Sequence, residues 1–533
     1  MNEAAPRARL ATHEVHNQPD IAARDLWASD PALRGALGEA PDLARLGAVL
    51  GSADMREAAR DAQRCLPELR LFDRGGRRID EVHFHPGYHK LMALGLEGGY
   101  AASAWEEGGS HAHHAAFMYM FSQVEPGVCC PMTMTYAAVP ALDASPDLAA
   151  IWCPKLTARA YDPAPRPVGA KAGATMGMAM TEKQGGSDVR ANSTRAVRDT
   201  GAGEGAYRLT GHKWFCSAPM CDGFLTLAQA EGGLTCFLVP RWLPDGTRNA
   251  FNILRLKDKL GNKANASSEI EYHDTLAHRL GEEGRGVQTI IEMVHHTRLD
   301  TALAPAGLMR AALNEAVHWA RGRTAFQRRL IDQPLMRAVL ADLTIEAEAA
   351  LLLGLDVAHA FDDPGAGPYA RLSVALAKFL NNKRAPGMIY ECMECLGGMG
   401  YVEDTPLPML YREAPLNSIW EGSGNVICLD ILRTLRREPE AGAQLEARLD
   451  AARGQDTGFD AALAAHRARW PGLPPEAEAR WFAESLGLLL TGAVMMAASP
   501  LAGAFIATRL GGARGQIAGA MAAMDCESVL ARV

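Results

Sequence analysis

Apolar residues recur at helical spacing through the first 170 residues of this 533-residue chain, in stretches such as Pro41 to Leu50 and Met55 to Cys65. Glycine-rich punctuation such as Arg74-Gly75-Gly76 separates them. From about Met180 to Leu280 the pattern becomes short and alternating. Tyr207 to Phe215, Phe224 to Ala228, Leu234 to Val239 and Glu269 to Tyr272 read as strands. Beyond Gly286 long helical periodicity returns in Val287 to Arg323, where Pro305 predicts a kink, then in Leu335 to Phe361 and Arg371 to Ala385. An Ala/Gly-rich helical tail follows, and no segment repeats. The pattern predicts a mainly α, α+β chain. It divides into a helical domain over 1–179, a β domain over 180–285, a helical bundle over 286–440 and an extra helical domain over 441–533.

One segment tests that picture. Ser485 to Thr508 carries no charge and is long enough to cross a bilayer. Pro500 interrupts it, Gly487, Gly492 and Gly503 dilute it, and aromatic belts are absent, so two buried helices broken at Ser499-Pro500 are expected. The chain opens without a basic start followed by an apolar run, and its eleven cysteines are scattered, which fits reduced thiols in the cytoplasm. Cys392 and Cys395 lack a second pair, so no metal site is expected. Close-set histidines at 111, 113 and 114, and again at 83, 85 and 89, read as solvated loops. The net charge of −8 argues against indiscriminate binding to phosphate backbones.

No G-x-G-x-x-G follows a strand and no G-x-x-x-x-G-K-[ST] occurs, so a dinucleotide would have to be held another way. Other stretches offer one. Met180-Thr-Glu-Lys-Gln-Gly-Gly-Ser-Asp188 places the hydroxyls of Thr181 and Ser187 on a loop whose Gly185 and Gly186 allow a flat ring to come close. In Gly211-His-Lys-Trp-Phe-Cys-Ser217, Phe215 and Ser217 lie two apart on a strand and share a face. The competing readings are ordinary turn hydroxyls and a core phenylalanine. Arg323-Thr-Ala-Phe326, with Gln333, offers a planar donor set for a pyrophosphate, or simply an arginine on a solvated face near Arg321, Arg328 and Arg329. Cys395-Leu-Gly-Gly-Met-Gly-Tyr401 follows a helix, and Ile419-Trp-Glu-Gly-Ser-Gly-Asn425 sets a carboxylate between an indole and a flexible turn.

These five stretches, in order across residues 180–435, resemble the acyl-CoA dehydrogenase family. Val82-His-Phe-His-Pro86, Leu256-Lys-Asp-Lys-Leu-Gly-Asn262, Leu416 to Asn425 and the Asn17-Gln-Pro start are similar to its AidB-like branch, the DNA alkylation response flavoproteins. The resemblance implies the acyl-CoA dehydrogenase fold, FAD shared between subunits of a homotetramer, and an acyl-CoA substrate. It assigns the flavin ring to Met180, Thr181, Gly186, Ser187, Phe215, Cys216 and Ser217. It assigns the adenosine diphosphate end to Arg323, Phe326, Gln333, Gly397 and Gly398. Ile419, Trp420, Gly422, Ser423, Gly424 and Asn425 complete the cofactor set around Glu421, the implied catalytic base. Gln327 stands where the family has glycine. Thr297 occupies the helix position at which some relatives keep the base and cannot be one itself, while Glu413 reads as a surface or structural acid.

The same branch implies a competing function, a flavin-containing protein that binds double-stranded DNA and turns over little thioester, with Arg433, Arg436, Arg437 and Arg514 as candidate contacts. Against it, residues 441–533 hold eight arginines, no lysine and nine acids.

Overall fold

The computed structural model describes residues 16–20 and 23–533, and the expectation about how the chain opens falls outside them. The N-terminal part runs α1 (Pro31–Leu37), α2 (Pro41–Leu50), α3 (Ala53–Arg64), β1 (Glu68–Phe72), β2 (Arg78–His83), α4 (Pro86–Gly98), α5 (His111–Ser122), α6 (Pro126–Leu142) and α7 (Pro146–Leu156). Side chains begin several of these helices: Asp30 accepts from the N–H groups of Ala32 and Leu33, Ser52 from Met55, and Ser110 from His113. The hairpin β1–β2 was not foreseen. Its first strand only alternates between exposed and half-buried residues, too polar a pattern to reveal a strand, and Gly76 takes a left-handed turn (φ +80) within what read as helix punctuation.

The middle region comprises β3 (Met176–Ala179), β4 (Arg195–Arg198), β5 (Ala206–Ser217), β6 (Gly223–Ala230), β7 (Gly233–Pro240), β8 (Phe251–Leu256) and β9 (Ser267–Leu280). Strands β4, β5, β9, β7 and β6 pair in a ring that closes from β6 back to β4, with β3 added to β6 and β8 to β9. Closure removes most sheet edges. Because β3 pairs in parallel with β6, the β region begins a few residues before the expected boundary at 180.

The helical bundle is α8 (Gly286–Gly322), a two-residue-strand hairpin β10 (Thr324–Ala325) and β11 (Arg328–Arg329), α9 (Pro334–Asp362), α10 (Gly367–Cys395), α11 (Leu407–Glu413) and α12 (Gly424–Arg437). Helix α8 continues for 37 residues through Pro305, and packs on α5, α6, α9 and α10 to form the main core.

The tail adds α13 (Pro439–Ala451), α14 (Thr457–Arg469), α15 (Ala479–Ala498), α16 (Ala502–Phe505) and α17 (Cys526–Leu530). The uncharged segment breaks at Ser499 and Pro500 as expected. Glu476–Ala498 is long and apolar enough to cross a membrane, yet it packs on α9, α10 and α12. Buried acids on α9 receive cations from the tail: Asp342 pairs with Arg509 and Arg514, Glu346 with Arg509, and Glu348 with Arg532.

Candidate active site

The loop after β3 is locked onto the barrel by one acid. Glu182, fully buried, accepts from Lys213 Nζ (2.8 Å), both N–H and Oγ of Ser193 (2.6 and 2.9 Å), and both N–H and Oγ1 of Thr194 (3.1 and 2.6 Å). Burial alone would raise this carboxyl, but Lys213 and the hydroxyl and amide donors overcome it and hold the group down at about 2. The Trp214 N–H donates to the Thr181 carbonyl (2.8 Å), so the Thr181 loop and the end of β5 move as one piece. A side chain at Gly186 would meet Thr181 Oγ1 at 2.5 Å, which explains glycine there. Ser187 is exposed, and Asn192 holds the Met180 carbonyl (2.9 Å).

On β5 the expected alternation holds at the end of the strand. Phe215 is 47 % exposed and Ser217 half-buried, while Cys216 between them is buried completely in the barrel wall. The thiol of Cys216 therefore points away from the Phe215–Ser217 face, and its backbone is the part that remains for a cofactor. Ser217 Oγ hydrogen-bonds Ser267 Oγ (3.2 Å), which also accepts from Lys259 Nζ (3.1 Å). Lys259 is largely buried and pushed down to about 8 by that burial.

Glu421 lies across from this strand. Residues 419–423 leave a short helical turn, Glu421 adopts a left-handed φ of +57 and Gly422 one of +102, and α12 begins at Gly424. A non-glycine residue in that region is strained by about 1–3 kcal/mol and needs its surroundings to hold it there. Three consecutive carbonyls supply the anchor: those of Trp420 and Gly422 accept from Lys378 Nζ (2.8 and 2.6 Å), and that of Glu421 accepts from Arg298 Nε (3.2 Å). Arg298 also pairs with Asp430 (2.8 Å). Glu421 Oε2 is shut off from solvent and has no hydrogen-bond partner among the described residues. Burial raises the Glu421 carboxyl above its ordinary range, opposed by the Thr297 hydroxyl, Lys378 and Arg298. Thr297, at the alternative base position, thus adjoins Glu421 instead of replacing it. Cys130 of α6 joins the two sides. Burial pushes its thiol up to about 12, Lys259 and the nearby Asn265 and Ser217 oppose this, and Glu421 is near enough to add to the rise.

The adenosine-end candidates lie apart from this centre, on outward-facing turns. Phe326 (φ +52) and Gln327 (φ +64) form the tip of the β10–β11 hairpin, a two-residue turn with both residues left-handed. This accounts for glycine where Gln327 stands. Phe326 is 93 % exposed, Arg323 donates to the Asn17 carbonyl (2.7 Å), and Gln333 donates to that of Ala325 (3.0 Å). Gly397 is left-handed (φ +60), and a Cβ at that residue or at Gly398 would meet nothing within 4 Å, which leaves an open approach. Ile419 is 64 % exposed, the Trp420 indole donates to Asn417 (2.7 Å), and a side chain at Gly424 would meet Lys383. Ser423 caps α12 without a side-chain bond, and Asn425 accepts from Arg480 of the tail (3.0 Å).

Several expectations need correction. His111, His113 and His114 lie on α5 rather than in a solvated loop: His114 is buried between Asp300 (2.7 Å) and the Tyr100 carbonyl (2.7 Å), His111 bonds Tyr136 (2.6 Å) and His113 bonds Asp42 (2.7 Å). His85 caps α4, and His89 bonds Tyr161 (2.6 Å). Of the two readings of Glu413, the structural one holds: it is buried and accepts from both the N–H and the side-chain amide of Asn262. Arg514 is engaged by Asp342, whereas Arg433, Arg436 and Arg437 are exposed at the end of α12. Lys378 and Arg298 went unassigned by sequence reasoning; the available signal was one lysine within the apolar run Ser373 to Leu380. A cleft of about 320 Å³ behind Pro131, walled by Phe84, Tyr88, Tyr161 and Trp242, holds none of the expected flavin residues.

Comparison with known proteins agrees with this layout. Family models match for the adaptive response protein AidB N-terminal domain over residues 17–163, the acyl-CoA dehydrogenase middle domain over 177–275 and the acyl-CoA dehydrogenase C-terminal domain over 284–436. AidB of Escherichia coli (strain K12) is 45 % identical over 466 residues, 85 % of this chain and 86 % of that protein. Acyl-CoA dehydrogenase family member 11 of Caenorhabditis elegans is 35 % identical over 417 residues, 74 % of this chain and 66 % of that one. The crystal structure of Caenorhabditis elegans ACDH-11 in complex with C11-CoA superposes with a TM-score of 0.82 at 27 % identity, covering 94 % of this chain and 92 % of that one. The chain belongs to the acyl-CoA dehydrogenase family, and within it resembles AidB.

Proposed function

We propose that the protein is an FAD-dependent acyl-CoA dehydrogenase that removes hydrogen from the α and β carbons of an acyl-CoA thioester, with Glu421 as the base. One observation carries the reading: a carboxylate oxygen closed to solvent, without a partner, on a strained loop that buried cations hold in place. Such a carboxylate binds a proton more tightly than an exposed one and is the stronger base for it. Glu421 takes the α-proton, and the Glu421 N–H, which has no acceptor among the described residues, faces the thioester oxygen as charge develops there. Bound FAD would accept the hydride from the β-carbon.

The residues present suit that cofactor. The exposed Phe215 beside Ser217, the Thr181 loop and the open turns at Gly397 and Gly398, where a Cβ would meet nothing within 4 Å, support a place for ring and diphosphate. Phe326, Leu335 and Tyr401, all more than four-fifths exposed, support a homotetramer in which a neighbouring copy covers them. ACDH-11 with bound C11-CoA supports a thioester substrate for this chain. Anaerobic mixing with saturated acyl-CoAs of graded length should bleach the flavin, and Glu421→Gln should slow bleaching by about 10²–10⁴-fold while the protein stays yellow. A colourless protein that takes up no FAD, or bleaching untouched by Glu421→Gln, would refute the proposal.

A second reading, binding of double-stranded DNA by a cytoplasmic alkylation-response protein, draws its support from Arg433, Arg436 and Arg437, which crowd the last turns of α12 with Arg436 and Arg437 exposed. Titration with a short duplex at rising salt tests it: three phosphate contacts per subunit predict a log–log slope near about −3, and a flat response removes the reading.

A further inference from the structure

Lys378 is 1 % exposed, and no carboxylate lies within ion-pairing distance of it among the described residues. A buried ammonium without an anion in contact is costly. Its polar contacts are carbonyl oxygens: those of Trp420 and Gly422, which flank Glu421, while Arg298 takes the one between. The charged groups facing it are Glu421, Arg298 and, more distantly, Lys383.

The planar trans peptide sets the consequence. A carbonyl and the N–H that follows it point in opposite directions. With the carbonyls of 420, 421 and 422 drawn toward the two cations, the N–H groups of Glu421, Gly422 and Ser423 must point the other way. None of the three donates to an acceptor among the described residues. Successive N–H groups across a left-handed residue form a concavity for an anion.

We infer that Lys378 is a positioning residue for the reaction: with Arg298 it pins the loop so that its free N–H groups and the Glu421 carboxylate face the same thioester, and its charge stays behind both. The assignment rests on the thioester reading. When the α C–H bond breaks, its proton goes to the Glu421 carboxylate and the electron pair to the thioester oxygen. The negative charge therefore moves from one side of the loop to the other, and Lys378 lies behind it at both ends of that move. No rearrangement of the cation is needed. Burial pushes Lys378 down to about 7 while Glu421 pulls it up, so the charge on either group favours the charge on the other.

The test uses the flavin-loaded protein and a 3-ketoacyl-CoA, a thioester whose enolate is seen directly in the ultraviolet and cannot be dehydrogenated further. The measured quantity is the pH at which the bound ligand is half enolate. Wild type is expected to lower it relative to free ligand. Lys378→Met should raise it by at least one unit, about tenfold less enolate at a given pH, with flavin retained. Lys378→Gln, which keeps a donor but not the charge, serves if the methionine variant fails to fold and should shift it in the same direction. Lys378→Arg, restoring the charge, should recover part of the shift. Enolate binding in Lys378→Gln identical to wild type, or no recovery with arginine beyond that of glutamine, would overturn the role of Lys378 alone. No bound enolate in wild type at any pH would instead overturn the thioester reading beneath it.

Discussion

Glu182 with Lys213 at the barrel, and Glu421 with Lys378 at the bundle, both set an acid near a buried lysine, Glu182 buried throughout and Glu421 half-buried with Oε2 closed to solvent, and they behave oppositely. At the barrel, Lys213 touches Glu182 directly and four further donors complete the carboxylate's shell. That acid is held at about 2 and remains charged. At the bundle, Lys378 spends its hydrogen bonds on carbonyls, leaving Glu421 within its field but outside its grasp, one oxygen bare and the carboxyl raised. Contact makes a carboxylate inert; proximity without contact leaves it basic yet still ionisable. Glu413 is a third case: raised by burial but engaged by Asn262, it has no oxygen left for a substrate.

The widest separation of the two pairs comes from removing the cation. Lys213→Met strands a charged carboxylate in the barrel and should lower stability by about 3–5 kcal/mol, read by thermal melting followed through flavin release. Glu182→Gln should cost about 2–4 kcal/mol, whereas Glu421→Gln, which exchanges a carboxylate with one unpartnered buried oxygen for a neutral amide, should be neutral or slightly stabilising. Comparable losses for both glutamines would erase the distinction. Acid gives a third contrast. Because the folded Glu182 carboxyl is depressed to about 2, its contribution is fully present above the unfolded value near 4.5 and is lost as pH falls from there toward 2; Glu182→Gln should flatten that part of the stability profile. Glu125 works in reverse: fully buried and raised to about 8, it favours the folded state less as pH climbs from about 4.5 to 8, so Glu125→Gln should melt higher than wild type at about pH 8 and gain less at about pH 5. The smallest effect is expected at the hairpin tip, where Gln327→Gly should raise stability by roughly 0.5–1 kcal/mol by relieving a left-handed residue.

The order of helical, β and helical regions was legible because period and segment length differ so clearly between Val287–Arg323 and Leu234–Val239. Strand β8 and the β1–β2 hairpin were not, since their short, mixed-polarity stretches carry little periodicity. At the site, the motifs located Thr181, Ser217 and Glu421 correctly on a loop, a strand end and a turn. They did not separate chemistry from scaffolding. Within the same two motifs, Glu182 and Lys213 serve only to fasten the loop, and the Cys216 side chain is spent on the barrel wall. The anchors of Glu421, Lys378 and Arg298, come from two other helices far upstream, a relation that spacing along a chain cannot express.

Three arginines of the tail settle on acids of α9: Asp342, Glu346 and Glu348 are all buried, and Arg509, Arg514 and Arg532 reach them from beyond residue 500, with Arg384 of α10 sharing Glu346. Cutting the polypeptide near residue 440 would expose a strip of stranded negative charge along a central helix, so a shortened version should be insoluble unless those three acids become apolar. The tail is less an attachment than the missing half of a salt lattice.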